Sequence, residues 1–309
     1  MTENNLTVKD TPKSHRFVNM VITEFAGTVG NASVNFDEKK KKLAQHLFIQ
    51  IDTVLPELEK KRSGHNYKKD QPQIIWNNIN MPKLAIDAMR RIELGLDALI
   101  PNHISIIPYL NSRTKQYDID LRIGYVGKDY YRRKMAIEPP LDIAYELVHE
   151  TDFFVAFKKD VESPIETYIF EIKNPFDRGE IIGGFGYISY ENPAKNRLVI
   201  VGEKDFVESK KAGKSDAFWG PYEKQMRYKT LVHRTTEKLR VDPEKINASF
   251  AAVEREHEPE QSDIPLIENI EKEANKTVID ITPEQPAPEP VRDQSQEAEA
   301  KQQPKTAPF

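Results

Sequence analysis

Apolar positions follow two different periods along this chain. Between Phe36 and Arg62, Leu43, Leu47, Ile51, Val54 or Leu55, and Leu58 recur at spacings of three and four, which predicts an amphipathic helix. A polar loop follows at 63–72. A second helix is predicted from Pro82, a residue that suits a first helical turn, with Ala85, Met89, Ile92, Leu96 and Leu99 on its apolar face. After Pro101 the period changes to two. HISIIPYL and QYDIDLRIGY flank the polar turn NSRTK and read as a β-hairpin. VGKDYYRRKMA (126–136) reads as a helix. AYELVH, FFVAFKK, IETYIFEIK, GEIIGGFGYISYE and RLVIVG read as strands, with Asn192-Pro193 turning the chain between the last two. EKDFVESKKAG and the stretch from Pro221 to Arg240 return to helix. The expected fold class is α+β, an antiparallel sheet of about five strands flanked by helices.

Both ends depart from these periods. Residues 1–16 are polar, lack the apolar core of a secretory signal, and are expected to be disordered. From Ala251 to Pro308 there is no aromatic residue, and eight of the 21 prolines fall there. Such a segment buries too little apolar surface to offset its chain entropy, so 251–309 is expected to be a disordered acidic tail. Its apolar island IPLIENIEKEANKTVIDI (264–281) is suited to folding on a partner, and equally to a plain solvated tail. The expected domain is therefore 17–250. Its longest apolar runs fall well short of the roughly 18 residues that span a bilayer.

Charge sharpens this division. Residues 250–309 carry 14 Asp and Glu against 6 Lys and Arg, a balance of −8, which leaves +4 of the total −4 on residues 1–249. A basic body with an acidic tail fits a nucleic-acid binder with a separate partner segment, and equally a plain globular domain with a solvating tail. Cysteine is absent, which removes disulfides, zinc-thiolate sites and cysteine nucleophiles and fits a reducing cytoplasm.

Several chemistries lack their motifs. Gly213-Lys214-Ser215 is not a P-loop, because Glu208 stands where its first glycine belongs. GGFG (183–186) lacks the third glycine of a dinucleotide fingerprint and suits a bulge or a close backbone approach. His149-Glu150 has Phe153 where a zincin needs its second histidine, and no nucleophile elbow occurs. No cofactor or resident metal is expected. One enzyme pattern remains: Glu171 and Lys173 share a strand face, as in a Mg²⁺-dependent nuclease, with Asp152 or Asp160 as a further ligand. An exposed strand face explains the same pair without chemistry.

Three clusters combine cations with aromatic residues, the pairing that single-stranded nucleic acid requires. The hairpin turn carries Arg113 and Lys115, between Tyr109 and Tyr117. RIGYVGKDYYRRK adds Arg122, Tyr125, Lys128, Tyr130, Tyr131, Arg132, Arg133 and Lys134. The third cluster, 210–240, holds Lys214, Trp219, Lys224, Arg227, Lys229 and Arg234. On a helix, Lys224, Arg227, Arg234 and Lys238 fall within about 80° of one another, a cationic stripe. Tyr228, Val232 and Leu239 form an apolar arc beside it. Each cluster alone is equally compatible with core or rim tyrosines and solvated lysines.

The same residues resemble the RecT family of phage recombinases, relatives of Red beta. IPYLNSRTKQYDIDLRIGYVGKDYYRRK resembles the family's Pro-Tyr strand, turn and Ile-Gly-Tyr-x-Gly entry to a basic helix. ELVHETDFF resembles its Val-x-Glu-x-Asp-x-Phe strand pair, and RGEIIGGFGYISY its strand after an Arg-Gly turn. FWGPYEKQMRYKTLVHRTTEKL resembles its closing Trp-x6-Met-x-x-Lys-Thr helix. The motifs stand in the family's order over about 80–245. The resemblance implies a DNA-binding protein without covalent chemistry. It implies annealing of complementary single strands without ATP and assembly into rings or helical filaments, in a bacterial host's cytoplasm. It also implies work alongside a phage exonuclease and the host single-strand-binding protein. Together with the clusters, it nominates Arg113, Lys115, Arg122, Lys128, Arg132, Arg133, Arg178, Lys214, Lys224, Arg227, Lys229 and Arg234 for phosphates, and Tyr125, Tyr131 and Trp219 for bases or the groove wall.

Overall fold

The computed structural model describes residues 12–29, 36–64, 70–212 and 218–257. The first layer is helical. α1 (Lys13–Val29) buries Phe17, Val18, Val21 and Phe25. α2 (Glu38–Ser63) starts at Asp37, whose carboxylate accepts the Lys40 amide at 2.8 Å, as a helix N-cap should. Its predicted stripe of Leu43, Leu47, Ile51 and Leu55 is buried. α3 (Met81–Leu94) is capped by Asn80 and carries Pro82 in its first turn. The sequence pattern extended it through Leu96 and Leu99, but Gly95 takes a left-handed conformation (φ 82°) and ends it.

β1 (Ile104–Leu110) and β2 (Tyr117–Ile123) form the predicted hairpin. Tyr117, Ile119, Leu121 and Ile123 bury one face against the helices. α4 (Tyr125–Met135) follows at once. Its start lies against the loop before β1. A Cβ on Gly124 would stand 2.2 Å from the Asn102 carbonyl oxygen, and one on Gly127 2.6 Å from that of His103. The Ile-Gly-Tyr-x-Gly motif is thus a requirement for close backbone contact.

The second layer holds β3 (Asp142–His149), β4 (Phe153–Phe157), β5 (Thr167–Glu171), β6 (Ile181–Ser189) and β7 (Arg197–Gly202). These five strands were expected to share one sheet. Instead β3, β6 and β7 form a three-stranded antiparallel sheet, and β4 and β5 form a separate hairpin. The hairpin lays Phe154, Tyr168 and Phe170 over Phe185 of β6, with Phe154 stacked at 4.7 Å. Apolar stacking on the sheet face takes the place of pairing at its edge. The α+β class holds; the single sheet does not.

α5 (Glu203–Ala212) and α6 (Glu223–Thr236) cover the other face. A Cβ on Gly186 would stand 2.1 Å from Thr235 Oγ1. GGFG therefore lets α6 lie close on the sheet, and the β3–β6 register shifts at Val148/His149 beside it.

Both predicted boundaries move. Residues 13–16 belong to α1, while the rest of the expected N-terminal disorder (1–11) lies outside the described residues. The tail was expected from 251, yet α7 (Ala248–His257) inserts Phe250 and Val253 into the first layer's core. The acidic segment from 258, including the 264–281 island, lies outside the described residues. No described helix is long and apolar enough to cross a membrane.

Candidate nucleic-acid interface

The β1–β2 turn is built rigidly. Asn111 Oδ1 accepts the amides of Arg113 (3.1 Å) and Thr114 (3.3 Å). Lys115 sits in the left-handed region at φ 59°. Arg113 and Lys115 project from this turn, exposed and with no acidic partner among the described residues. On the hairpin's outer face, Arg122 donates to the Tyr109 hydroxyl at 2.9 Å and to Asp120 at 2.7 Å.

α6 reaches the same face. Lys229 is half-buried and has no acidic partner among the described residues. Burial, and then the nearby Arg122 guanidinium, push its pKa below the usual lysine range. Beside it, Tyr125, Leu147, Lys224, Gln225 and Tyr228 line a pocket of about 210 Å³. Tyr228 lies edge-on to Tyr125 at 5.8 Å and to Tyr145 at 6.3 Å. Lys224 is exposed at the rim. The fold thus brings Arg122 to Lys229, and Tyr125 and Lys224 to one pocket with Tyr228, while Arg113 and Lys115 stand exposed on the hairpin's own turn.

Six other nominated cations already pair with carboxylates of the protein. Lys128 is buried and bonds Glu237 at 3.0 Å. Arg132 pairs with Glu254, and Arg133 with Asp129 at 2.9 Å. Arg178 holds the fully buried Asp152 carboxylate through two hydrogen bonds and also donates to the Leu147 carbonyl. Two members of the cationic stripe of α6 face α5: Arg227 pairs with Glu203, as well as with Glu223 of its own helix, and Arg234 approaches Glu208 at 3.5 Å. All but the exposed Arg234–Glu208 pair have a largely buried cation, and such structural contacts leave little charge for a phosphate.

Two nominated aromatics are core residues. Tyr131 has no solvent exposure, and Trp219, 6% exposed, packs with Leu147, Val201, Phe206 and Leu231. Neither offers a face to a base in this conformation. Lys214 lies outside the described residues.

The nuclease pattern is also accounted for. Glu171 and Lys173 are exposed and pair with each other. Asp152 is held by Arg178, and Asp160 caps its own turn by accepting the Glu162 and Ser163 amides. Among the described residues no group of three His, Asp or Glu side chains converges as a metal site would require.

The protein is an α+β chain with a tyrosine-lined cationic face where the hairpin meets α4 and α6. A scan against models of known protein families finds no match, and no curated protein matches the chain.

Proposed function

We propose that this protein binds single-stranded DNA and anneals complementary strands without ATP, in the manner of the RecT family. The observation that carries the reading is Lys229. A partly dehydrated ammonium beside Arg122, with no carboxylate partner among the described residues, is costly until an anion arrives. A backbone phosphate is such an anion. The Arg113–Lys115 turn and Lys224 extend the positive surface, and the Tyr125–Tyr228 pocket offers ring edges and faces to unstacked bases. The ordered run of RecT-like motifs supports the same reading.

In this mechanism one strand is held by its phosphates with its base edges open. The second strand pairs by Watson–Crick bonding, so discrimination comes from the bases themselves. No bond is made or broken, and no cofactor enters. The protein works as a homo-oligomer, ring or helical filament, with the surface continued from subunit to subunit. Its natural partners are an exonuclease that exposes the strand and the host single-strand-binding protein that covers it.

Two dye-labelled complementary oligonucleotides test this in the absence of ATP. The protein should accelerate their pairing, with affinity for a single strand falling steeply with salt. Pairing no faster than the spontaneous rate would refute the reading. Shortening of the strands that depends on Mg²⁺ would replace it with the nuclease.

A further inference from the structure

A second positive site lies away from this face. At the far end of α6, Lys159, Tyr190, Lys195, Arg197, Lys238 and Arg240 line a cavity of about 510 Å³, together with Glu138 and Glu166. The cations come from the segments after β4 and α6, from the β6–β7 turn and from the start of β7, so no stretch of sequence announces the cluster.

Five cations face two carboxylates, and both carboxylates are engaged. Glu138 is taken by Lys195 at 2.5 Å. Glu166 is taken by Lys158, which lies outside the cavity lining, at 2.8 Å and by the Leu198 amide at 2.5 Å. Lys159 donates to the Ala194 carbonyl at 2.6 Å, and Arg197 to the Lys238 carbonyl at 3.0 Å. Neither contact cancels charge. The Lys238 and Arg240 side chains are exposed and have no acidic partner among the described residues. Tyr190 supplies an aromatic wall.

We infer that this cavity is a nucleic-acid phosphate site, separate from the hairpin–α6 face. Excess positive charge, guanidinium forks that match phosphate oxygens and an adjoining aromatic ring are the features a strand backbone requires. From Lys224 to its end at Thr236, α6 rises about 18 Å at 1.5 Å per residue, and Lys238 follows in the turn beyond. The two sites therefore mark opposite ends of α6. The strand as ligand rests on the function proposed above.

The test compares Lys238→Ala/Arg240→Ala with Lys210→Ala/Lys211→Ala, a control that removes two exposed cations from α5. Fluorescence anisotropy with a labelled single strand is measured across salt. The cavity variant should melt like wild type, bind on the order of tenfold more weakly at low salt, and lose about 1.4 from its log–log salt slope, 0.7 per phosphate contact. The control should lose far less. Equal behaviour of the two variants, with wild type binding well, overturns this site and leaves the proposed function standing. Failure of the wild type to bind any strand overturns both. An affinity that rises in the cavity variant assigns the cavity to an acidic segment of this chain and also overturns it.

Discussion

Tyr131 donates its hydroxyl to Glu254 at 2.6 Å, across 123 positions of sequence. Arg132 pairs with the same carboxylate, so one side chain of α7 ties down two neighbours on α4. Burial, reinforced by the Glu254 charge, pushes the Tyr131 pKa far above its ordinary value and keeps it a donor.

Glu254→Ala should therefore cost about 3 kcal/mol, because it strands a buried hydroxyl and a largely buried guanidinium. Glu254→Gln, which retains an acceptor, should cost less. Urea unfolding measures both, and equal midpoints for the two variants would show that the retained acceptor does not matter there. Replacing Arg132 and Arg133 by alanine should lower stability first and weaken strand binding only as folding is lost.

Lys229 carries the opposite expectation. Lys229→Met removes an unpartnered, partly dehydrated charge, so the melting temperature should rise by about 2–4 °C. Strand affinity should fall several-fold in the same variant. Calorimetry and anisotropy on one sample decide it. A drop in both quantities would make Lys229 a structural residue.

Acid should weaken the protein through its engaged carboxylates. Burial alone would raise Asp152 and Glu166. Hydrogen bonds from Arg178 and the His149 amide to Asp152, and from Lys158 and the Leu198 amide to Glu166, outweigh it and hold both below their ordinary values. Folded pKa values below the unfolded ones mean stability that is complete above the ordinary carboxylate range. That stability is lost as pH falls through the folded values, below about pH 4. Asp152→Asn should lower stability at pH 7 and flatten this loss. Urea titrations at pH 7 and pH 3 report both.

Gly186→Ala should cost about 2–4 kcal/mol, since the new methyl meets both γ atoms of Thr235 closer than van der Waals contact allows. Thr235→Ala should recover part of that loss by removing them. Absence of any rescue would place the strain elsewhere in the β6 backbone.

The sequence carried the secondary structure well wherever one face is buried. The period-two hairpin, the strands β3 to β7 and the stripe of α2 are all direct images of burial. How the strands grouped was not legible, because Phe154 and Phe170 look alike whether they pair at an edge or stack on Phe185. The site was legible only in part for a similar reason. Arg132, Lys128 and Arg227 look like free cations in their own segments, and their neutralising carboxylates, Glu254, Glu237 and Glu203, stand 122, 109 and 24 positions away. Arg113, Lys115 and Lys229 have no such distant acid among the described residues. Apart from Glu223, four positions before Arg227, nothing local distinguishes the two groups.

α7 makes its closure at a particular moment in the life of the chain. Phe250 meets the Tyr131 ring at 6.0 Å, and Glu256 pairs at 2.5 Å with Arg91, a nearly fully buried arginine of α3. Among the described elements this helix is the last to leave the ribosome. Until it emerges, the nascent helical layer shows an open apolar trench, and Arg91 is left with the more distant Asp87, at 3.8 Å, as its counter-charge. Its early-made helices are therefore left without their closing piece until translation nears residue 257, and contacts of such long range order slowly. A nascent chain paused before Phe250 accordingly leaves that trench open, whereas one released after Glu256 carries every side chain of the described core.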